Sequence, residues 1–296
     1  MPVNDGVMTS VTFLGTGEMG SALADAAVNA GHRTTVWNRS AARTQRLRAH
    51  GALTADTVAD AVTASELIVV CLYDHASVHD VLDPVAAHLR GRRVVNLTTT
   101  SPDAARELAQ WADAAGFGYL DGGIMATPEM IGTPASTVFF SGSRQVFDAH
   151  RELLEVWGSA DYFGPDAGMA SLYDLALLAG MYLMFAGFFQ GAAMVAGAGV
   201  TATQFAERAV PWLQALAPSL ADYAAVIDGG DYAVPGQQSL VFSDLSDIVA
   251  AGRAQGIGTD VVDAVQRLIQ RQIDAGFGDH GFARVIESIT TAEAAA

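Results

Sequence analysis

The chain of 296 residues contains no lysine, a single cysteine and half as many basic as acidic residues. All 16 basic side chains are arginines, and the 32 acidic residues bring the net charge to −16. Without lysine, the chain can form no Schiff base with a carbonyl substrate. With Cys71 alone, it can form neither an intrachain disulfide nor a two-cysteine metal site. Because an acidic protein repels phosphate backbones and anionic lipid, we expect no nucleic-acid or membrane partner.

The first ten residues lack the basic and then apolar pattern of a secretory signal peptide. We therefore expect a cytoplasmic protein. Hydrophobic residues make up 51% of the chain, which is enough to bury the core of one large or two medium domains.

Short apolar segments alternate with helix-prone segments in the first half of the chain. Strands are predicted at residues 11–14, 33–37, 66–72, 93–97 and from residue 119, with helices at 21–30, 41–50, 77–89 and 102–115. This alternation predicts an α/β domain of the Rossmann type with a doubly wound parallel sheet. The pattern ends near Gly164, so we assign the domain to residues 1–164.

A long apolar segment follows, with no charged residue between Leu175 and Ala206. We predict one long interdomain helix over residues 165–198. The stretch from residue 168 to residue 198 would be on the order of 45 Å long, which exceeds the width of a small domain. A transmembrane helix is the alternative, but the acidic flanks, among them Asp166 and Glu207, argue against it.

We expect instead that a second copy of the chain covers this helix in a homodimer. Four glycines on it would allow close approach of another helix: Gly180, Gly187, Gly191 and Gly197. The remaining residues, 199–296, show helical segments joined by Gly/Asp loops, and we predict an all-α C-terminal domain.

A glycine-rich turn lies between the first strand and the first helix. It consists of Gly15, Thr16, Gly17, Glu18, Met19 and Gly20. Gly15 would form the tight turn, Gly17 would let a pyrophosphate approach the backbone, and Gly20 would let helix and strand pack closely. The pyrophosphate would lie at the helix N-terminus, where backbone N–H groups are free. The complete strand–turn–helix context predicts dinucleotide binding, and an empty or degenerate turn is the alternative.

The end of the second strand indicates which dinucleotide the chain binds. NAD enzymes place a carboxylate there to hold the ribose 2′-hydroxyl, whereas this chain has Asn38, Arg39 and Ser40, with Arg43 one turn later. An arginine fork suits a 2′-phosphate, so we predict NADP(H). The alternative is that both arginines are ordinary surface charges.

Two later strand ends should also contact the cofactor, because ligands bind beyond the carboxyl ends of parallel strands. The residues expected there are Cys71, Leu72, Tyr73, Val78, Asn96 and Thr98. His75 and His79 have the i, i+4 spacing of metal ligands, but the sequence shows no third ligand. We therefore predict a solvated helix face there and no metal site.

The opening FLGTGEMGSALA and the strand end VNLTTTSP resemble the β-hydroxyacid dehydrogenase family. That family implies a Rossmann domain, a long interdomain helix, a helical C-terminal domain and an essential lysine near the start of the long helix. Here that region reads GMASLYDL, with no lysine and no asparagine.

The segments GHRTTVWNRS, YLDGGIMATP and GMASLYDLALLAGMY are similar to motifs of the imine reductases, and the likeness covers about residues 11–290. The resemblance implies NADPH-dependent reduction of C=N bonds by a dimer that exchanges helical domains around the long helix. It implies an active site between one subunit's Rossmann domain and its partner's C-terminal domain. It also implies a key aspartate or tyrosine, which Asp174 matches as the aspartate type, associated with R-selectivity on simple cyclic imines.

The chemistry supports Asp174 independently. A carboxyl group in an apolar cleft has a raised pKa and can carry a proton near neutral pH, and in its ionised form it would stabilise an iminium. Thirty-two uncharged residues follow it, and burying an unused charge there would be costly. The alternative is that Asp174 only caps the long helix.

Further site residues follow from helical spacing and from the resemblance. Leu178 and Met181 share the face of Asp174, and Tyr182 lies close to it, either bound to substrate or packed in a dimer core. The resemblance to reductive aminases implies Asn96, Asp174 and Tyr182 as the polar site residues. Trp212 and Phe242 are candidates for shaping the substrate pocket.

We therefore predict an NADPH-dependent oxidoreductase that reduces the C=N bonds of small imines, including cyclic ones, and that could also aminate ketones. A β-hydroxyacid or carbonyl reductase is the alternative in the same class, disfavoured by the missing lysine. A non-catalytic NADP(H)-binding protein on the same fold is the alternative in a different class.

Overall fold

The computed structural model describes residues 8–233 and 235–290, and its N-terminal unit is built on one eight-stranded sheet. The strands are β1 Ser10–Leu14, β2 Arg33–Trp37, β3 Leu53–Thr54, β4 Leu67–Val70, β5 Arg93–Asn96, β6 Gly118–Met125, β7 Thr137–Gly142 and β8 Ser159–Tyr162. Their order in the sheet is β3-β2-β1-β4-β5-β6-β7-β8. The order runs outward in both directions from β1 and β4, which confirms the predicted doubly wound sheet.

The far side of the sheet departs from the predicted parallel pattern. β7 runs antiparallel to β6, with Leu120 opposite Gly142, and β8 then runs parallel to β7. The connection from β6 to β7 contains only a single 3₁₀ turn, Pro128–Met130. A parallel return needs a longer crossover, so a connection this short brings the chain back antiparallel.

Helices cover both faces of the sheet. They are α1 Glu18–Asn29, α2 Gln45–Ala49, α3 Val58–Ala64, α4 His75–Leu82, α5 Ala86–Leu89, α6 Pro102–Ala115 and α7 Arg144–Leu154. In β4, Leu67 and Val69 join the cluster that includes α1 and α7, while Ile68 and Val70 join the cluster beneath α3, α4 and α6. Because both faces of the central strands are buried, their sequences are continuously apolar rather than alternating.

The helix predicted over residues 77–89 is two helices in the structure. α4 begins at His75, because the Asp74 side chain caps it by accepting a hydrogen bond from Ser77 N at 2.8 Å. The break follows Leu82, where Pro84 lies in a 3₁₀ turn that leads into α5. Proline supplies no N–H to continue the helix.

The long helix α8 extends over Gly168–Ala196, close to the predicted limits. Its buried residues all lie in its first two turns. Beyond them, large apolar side chains are exposed, including Leu183 and Phe189 at 66% and 65%. By length and composition α8 could cross a membrane, and 6% of its most apolar window is buried in the chain.

The C-terminal unit begins at Gly180, within α8. Its further helices are α9 Ala202–Leu216, α10 Ser219–Gly229, α11 Ser246–Ala254, α12 Asp260–Gln272 and α13 Val285–Thr290, with a π turn Ile273–Phe277 after α12. The ring of Phe205 packs against Gly191, where a methyl group would lie 2.6 Å from the ring. α9 of the same chain thus approaches α8 closely at this glycine, and the described part of the unit is mainly helical, as predicted.

Candidate active site

The glycine-rich turn has the geometry that its sequence indicates. Gly15 has a φ of +101°, and a methyl group on it would collide with the carbonyl oxygen of Cys71. Gly15 N donates a hydrogen bond to Trp37 O at 2.9 Å, which ties the turn to β2. A methyl group on Gly20 would collide with the carbonyl oxygen of Gly15. Both positions therefore require glycine, and α1 begins at Glu18, directly after Gly17.

Beside the turn, Gly17 faces open space, with no atom within 4 Å of where a side chain would begin. The neighbouring Thr16 Oγ1 is buried and has no hydrogen-bond partner in the described part of the chain. Buried hydroxyl groups are normally paired, so an orphan at this turn fits a site shaped for a ligand. An open backbone next to an unpaired donor is what a pyrophosphate requires.

A cleft of about 640 Å³ lies over this turn, and we call it the cofactor cleft. It is lined by Gly15, Gly17, Glu18, Met19, Gly20, Trp37, Asn38, Arg39, Ser40, Arg43, Cys71, Leu72, Tyr73, Ser77 and Val81. Most of the residues predicted to bind cofactor are brought together here. Trp37, Ser77 and Val81 were not predicted to contact the cofactor. Ser77 and Val81 are one helical turn apart on α4, so they face the cleft from the same side of that helix.

The ribose end of the cofactor cleft carries two free cations. Thr16 N donates a hydrogen bond to Asn38 Oδ1 at 3.1 Å, and Asn38 Nδ2 donates one to Ser40 O at 3.1 Å. Asn38 thus holds the end of β2 to the glycine turn. Arg39 and Arg43 are exposed, and the ion pairs among residues 8–233 and 235–290 involve other arginines. Their guanidinium groups are therefore available to an anion in the cleft.

Four predicted cofactor residues do not line the cleft: Thr16, which is buried within the glycine turn, and Val78, Asn96 and Thr98. Val78 is fully buried in the core beneath α4, and its neighbours Ser77 and Val81 face the cleft instead. Asn96 and Thr98 are buried at the carboxyl end of β5. Their positions suit support of the cleft wall rather than its lining.

Asn96 and Thr98 belong to a chain of hydrogen bonds that starts at the cofactor cleft. Leu72 N donates to Thr98 Oγ1 at 3.0 Å, and Thr98 N donates to Asn96 Oδ1 at 3.2 Å. Asn96 Nδ2 in turn donates to the Tyr119 hydroxyl at 3.1 Å. Both polar atoms of the Asn96 side chain, Oδ1 and Nδ2, thus form hydrogen bonds within the protein.

The series of hydrogen bonds continues to α8 through Asp121. This residue was not singled out from the sequence. The Tyr119 hydroxyl donates to Asp121 Oδ1 at 2.8 Å, and Ser171 Oγ donates to Asp121 Oδ2 at 2.6 Å. We call Asp121, Asp174 and their partners Asn96, Tyr119 and Ser171 the carboxyl cluster. A carboxylate inside the apolar strand YLDGGIM was the signal that could have revealed it.

Burial raises the pKa of Asp121 to about 7, and the negative charge of Asp174 acts in the same direction. The hydrogen bonds from Ser171 and Tyr119 oppose this rise, because they stabilise the charged form. Two carboxyl groups close together in a buried site resist ionising together. Asp121 therefore gains or loses its proton near neutral pH.

Asp174 is the second acid of the cluster, and only 3% of it is exposed. Burial raises its pKa to about 6. It lies directly against Gly123 of β6, where a methyl group would be 2.7 Å from the Asp174 Cβ and 3.1 Å from its Cγ. The position of the Asp174 carboxyl thus depends on a glycine in the facing strand.

The alternative that Asp174 merely caps α8 is wrong. α8 begins at Gly168, and the groups that satisfy its first turn are Asp166 and Ser141. Asp166 Oδ1 accepts from Gly168 N at 3.0 Å, and Ser141 Oγ accepts from Ala170 N at 2.9 Å. Asp174 is the seventh residue of the helix, beyond the free N–H groups of the first turn.

The remaining predicted site residues lie on α8 and in the C-terminal unit. Leu178 and Met181 are half-buried, and Tyr182 is 65% exposed. Trp212 lines an apolar groove of about 660 Å³ between α8 and α9, together with Leu183 and Phe188. Phe242 is exposed and does not line that groove.

The doubly wound sheet, the glycine turn and the cationic end of the cofactor cleft define a dinucleotide-dependent oxidoreductase. Residues 10–164 match the family model described as the NAD binding domain of 6-phosphogluconate dehydrogenase. Residues 166–291 match the family model described as the NADPH-dependent reductive aminase-like, C-terminal domain.

Relatives that match this chain over nearly its whole length are enzymes of the same class. An NADPH-dependent reductive aminase of Aspergillus oryzae is 36% identical over 282 residues, which are 94% of this chain and 96% of the relative. A reductive aminase from Aspergillus terreus, in complex with NADPH4, cyclohexanone and allyl amine, has a TM-score of 0.90 at 40% identity and covers 96% of this chain and 100% of its own. A Streptomyces aurantiacus imine reductase has a TM-score of 0.88 at 33% identity, covering 95% and 99%. The chain belongs to this family of NADPH-dependent reductive aminases and imine reductases, which confirms the resemblance seen in its sequence.

Proposed function

We propose that this chain reduces the C=N bond of imines, including cyclic imines and imines formed from a ketone and an amine. The observation that carries the proposal is the buried Asp174, whose raised pKa lets it share a proton with a basic nitrogen. Membership of an NADPH-dependent family supports the reaction class. The absence of lysine disfavours the hydroxyacid alternative, whose essential lysine has no counterpart here.

The residues of the cofactor cleft fit NADPH. The glycine turn and the free Thr16 hydroxyl would hold the pyrophosphate, and Arg39 and Arg43, with Asn38 and Ser40, would hold the 2′-phosphate. When bound, NADPH supplies the hydride that the imine carbon accepts.

The acid–base part of the reaction falls to Asp174. An imine accepts hydride well only once its nitrogen is protonated, so Asp174 and the substrate must hold one proton between them. That state is either protonated Asp174 with a neutral imine, or ionised Asp174 beside an iminium. When the carbon gains the hydride, the electrons of the C=N π bond become the lone pair of the amine nitrogen. Tyr182 is the candidate for binding substrate, because it is exposed.

Asn96 and Asp121 act as positioning residues in this proposal. Both are buried, and their hydrogen bonds run from the wall of the cofactor cleft to Ser171, one helical turn before Asp174. They would hold the cleft and the acid at a constant separation. The predicted catalytic role of Asn96 thus becomes support of Asp174 rather than contact with substrate.

The first test is NADPH oxidation, followed at its nicotinamide absorbance, with 2-methyl-1-pyrroline as substrate. We expect turnover by the wild type and a fall in kcat/KM of about 100- to 10,000-fold in Asp174→Asn, with NADPH still bound. The exposed Asp161→Asn serves as the matched control and should keep full activity.

Turnover that survives in Asp174→Asn would keep the reductase and overturn the role of Asp174. A wild type that is silent with imines, with ketone plus amine and with hydroxyacids would make the non-catalytic NADP(H)-binding protein the leading explanation.

The pH dependence follows from the shared proton. We expect kcat/KM to fall below about pH 6, where Asp174 is protonated and the imine is protonated too. It should also fall above the pKa of the substrate imine, where both partners have lost the proton. The acidic limb should disappear in Asp174→Asn, while the alkaline limb, which belongs to the substrate, should remain.

We propose further that a second copy of the chain covers the exposed apolar face of α8, forming a cytoplasmic homodimer. Light scattering after size exclusion, in buffer without detergent, should give twice 30.8 kDa. Phe189→Asp places a charge on the exposed face of α8 and should shift the mass toward a monomer. Met8→Asp, an equally exposed apolar position outside α8, should leave the mass unchanged. A wild type that needs detergent to stay in solution would favour a membrane helix instead.

A further inference from the structure

A cluster of metal-binding side chains lies on the far side of α4 from its cleft-lining residues. His75 and His79 are one helical turn apart on α4, and Glu107 of α6 faces both. His75 Nε2 lies 3.2 Å from Glu107 Oε2, and His79 Nε2 lies 3.1 Å from the same oxygen. The structure thus supplies the third ligand that the sequence did not reveal.

Other side chains hold this cluster in place. His79 Nδ1 lies 3.0 Å from Asp83 Oδ1, and the His79 ring packs at 5.6 Å from the ring of Trp111 on α6. A carboxylate on Nδ1 fixes the tautomer that leaves the Nε2 lone pair free, as in many zinc sites. Asp83 orients the ring of His79 in this way, whereas the buried Nδ1 of His75 has no hydrogen-bond partner among the described residues.

We propose that His75, His79 and Glu107 form a Zn²⁺ site that links α4 to α6. Two imidazole nitrogens and one carboxylate oxygen are a known ligand set for zinc, with water as the fourth ligand. Donors around a tetrahedral zinc, each about 2 Å from the metal, are roughly 3.3 Å apart, close to the two separations observed here. The neighbouring carboxylates Glu107 and Asp83 offset the charge of the cation.

The position of the site gives it a consequence for the fold. α4 begins directly after Leu72, Tyr73 and Asp74, whose first two residues line the cofactor cleft. A cation bound to both helices would hold the first turn of α4 against α6. That turn follows the cleft-lining segment of the chain. Because the folded chain would bind zinc more tightly than the unfolded chain, Zn²⁺ should raise the thermal unfolding midpoint.

The test is calorimetric titration of ZnCl₂ into the full-length protein, with any affinity tag removed and metals stripped with a chelator. We expect one Zn²⁺ per chain in the wild type, and at least a tenfold loss of affinity in His79→Ala and in Glu107→Gln. Glu107→Gln keeps the side-chain shape and removes only its charge. Asp83→Asn, which disturbs the orienting contact alone, should weaken binding about 10- to 100-fold.

His88→Ala is the matched control, because His88 is an exposed histidine at the second-to-last position of α5. It should bind Zn²⁺ as the wild type does, and Mg²⁺ should not replace Zn²⁺ at a site with two imidazoles. No Zn²⁺ binding by the wild type would overturn the proposal, because the two imidazoles would then only hydrogen-bond to Glu107. Equal binding by His79→Ala would also overturn it, because the metal would then lie elsewhere.

Discussion

The cofactor cleft and the carboxyl cluster lie within the same N-terminal unit, yet they treat polar groups in opposite ways. In the cofactor cleft, the cations Arg39 and Arg43 are exposed, and the Thr16 hydroxyl of the glycine turn has no hydrogen-bond partner among the described residues. In the carboxyl cluster, Asp121 and Asp174 are buried, and Asp121 accepts two hydrogen bonds. The cleft keeps charges free for a ligand, whereas the cluster keeps acids away from water.

Cofactor recognition and acid–base chemistry thus take place in different environments within the unit. Free cations can form charge-assisted hydrogen bonds with phosphate without first breaking an ion pair inside the protein. Buried acids have altered proton affinities, because water no longer stabilises their charged forms. A binding site therefore benefits from exposure and an acid–base site from burial, and changes in the two regions should affect different measured quantities.

Among substitutions that keep Asp174 itself, the largest expected effect comes from displacing its carboxyl group. Gly123→Ala would place a methyl group 2.7 Å from the Asp174 Cβ, so the carboxyl must shift. We expect kcat/KM for the imine to fall about 100-fold, because such a displacement disturbs the reacting geometry. The dissociation constant for NADPH, measured by fluorescence titration, should stay unchanged.

The matched control is Gly229→Ala, where a methyl group meets nothing within 4 Å. A parallel loss of NADPH binding in Gly123→Ala would contradict the separation of the two regions.

A smaller effect is expected from Arg39→Ala at the cationic end of the cofactor cleft. Loss of a charge-assisted hydrogen bond to the 2′-phosphate should weaken NADPH binding by about 10- to 100-fold. NADH binding should not change, because NADH carries no 2′-phosphate. Steady-state kinetics with both cofactors would measure this, with Arg33→Ala, an exposed arginine outside the cleft, as the control. Equal weakening of both cofactors would show that Arg39 does not recognise the phosphate.

The buried acid should also cost the protein stability. Burial raises the pKa of Asp174 from 3.8 to about 6, so the folded chain keeps a proton that the unfolded chain releases between these pH values. Stability therefore falls as the pH rises through this window, and the full penalty is present above pH 6. Asp174→Asn should raise the free energy of unfolding by up to about 3 kcal/mol at pH 8.

The same substitution should have little effect at pH 4 or below, where Asp174 is protonated in the folded chain. Urea unfolding at both pH values and at one protein concentration would measure the difference. A gain of the same size at both values would point to packing rather than to the charge of Asp174.

The smallest effect is expected from Asp121→Asn, which changes a positioning residue. The neutral amide resembles the protonated carboxyl, so the acidic limb near pH 6 should stay in place while kcat falls about tenfold. Any inflection near pH 7 in the wild-type profile should vanish, since burial raises the pKa of Asp121 to about 7. A purely structural role would lower kcat and leave that inflection in place.

Local patterns predicted the parts of the structure that depend on neighbouring residues. The glycine turn, β2, α6 and the extent of α8 could be placed from the sequence, because φ angles, capping and continuous apolar runs are short-range signals. The antiparallel β7 and the break after α4 were not predicted, although the short connection to β7 and Pro84 are both visible in the sequence. Whether a short connection turns the chain back, or a proline ends a helix, depends on how the adjoining segments pack.

The candidate site divides in the same way. Asp174 was predicted from its isolation in an apolar run, because burying a lone charge is costly wherever the chain folds. Asp121 was missed, because its importance arises from Ser171, fifty residues later in the chain. Glu107 was missed as a partner of His75 and His79 for the same reason, since it lies on another helix.

The sequence by itself determined the dinucleotide-binding turn, the cationic ribose end, the family and the absence of lysine chemistry, since each is a property of residues close together in the chain or of the composition. The tertiary structure alone decided which acids lie together, which glycine holds Asp174 in place and which carboxylate faces the two histidines. These are contacts between distant segments, and only the packing of strands and helices brings such segments within a few ångströms of one another.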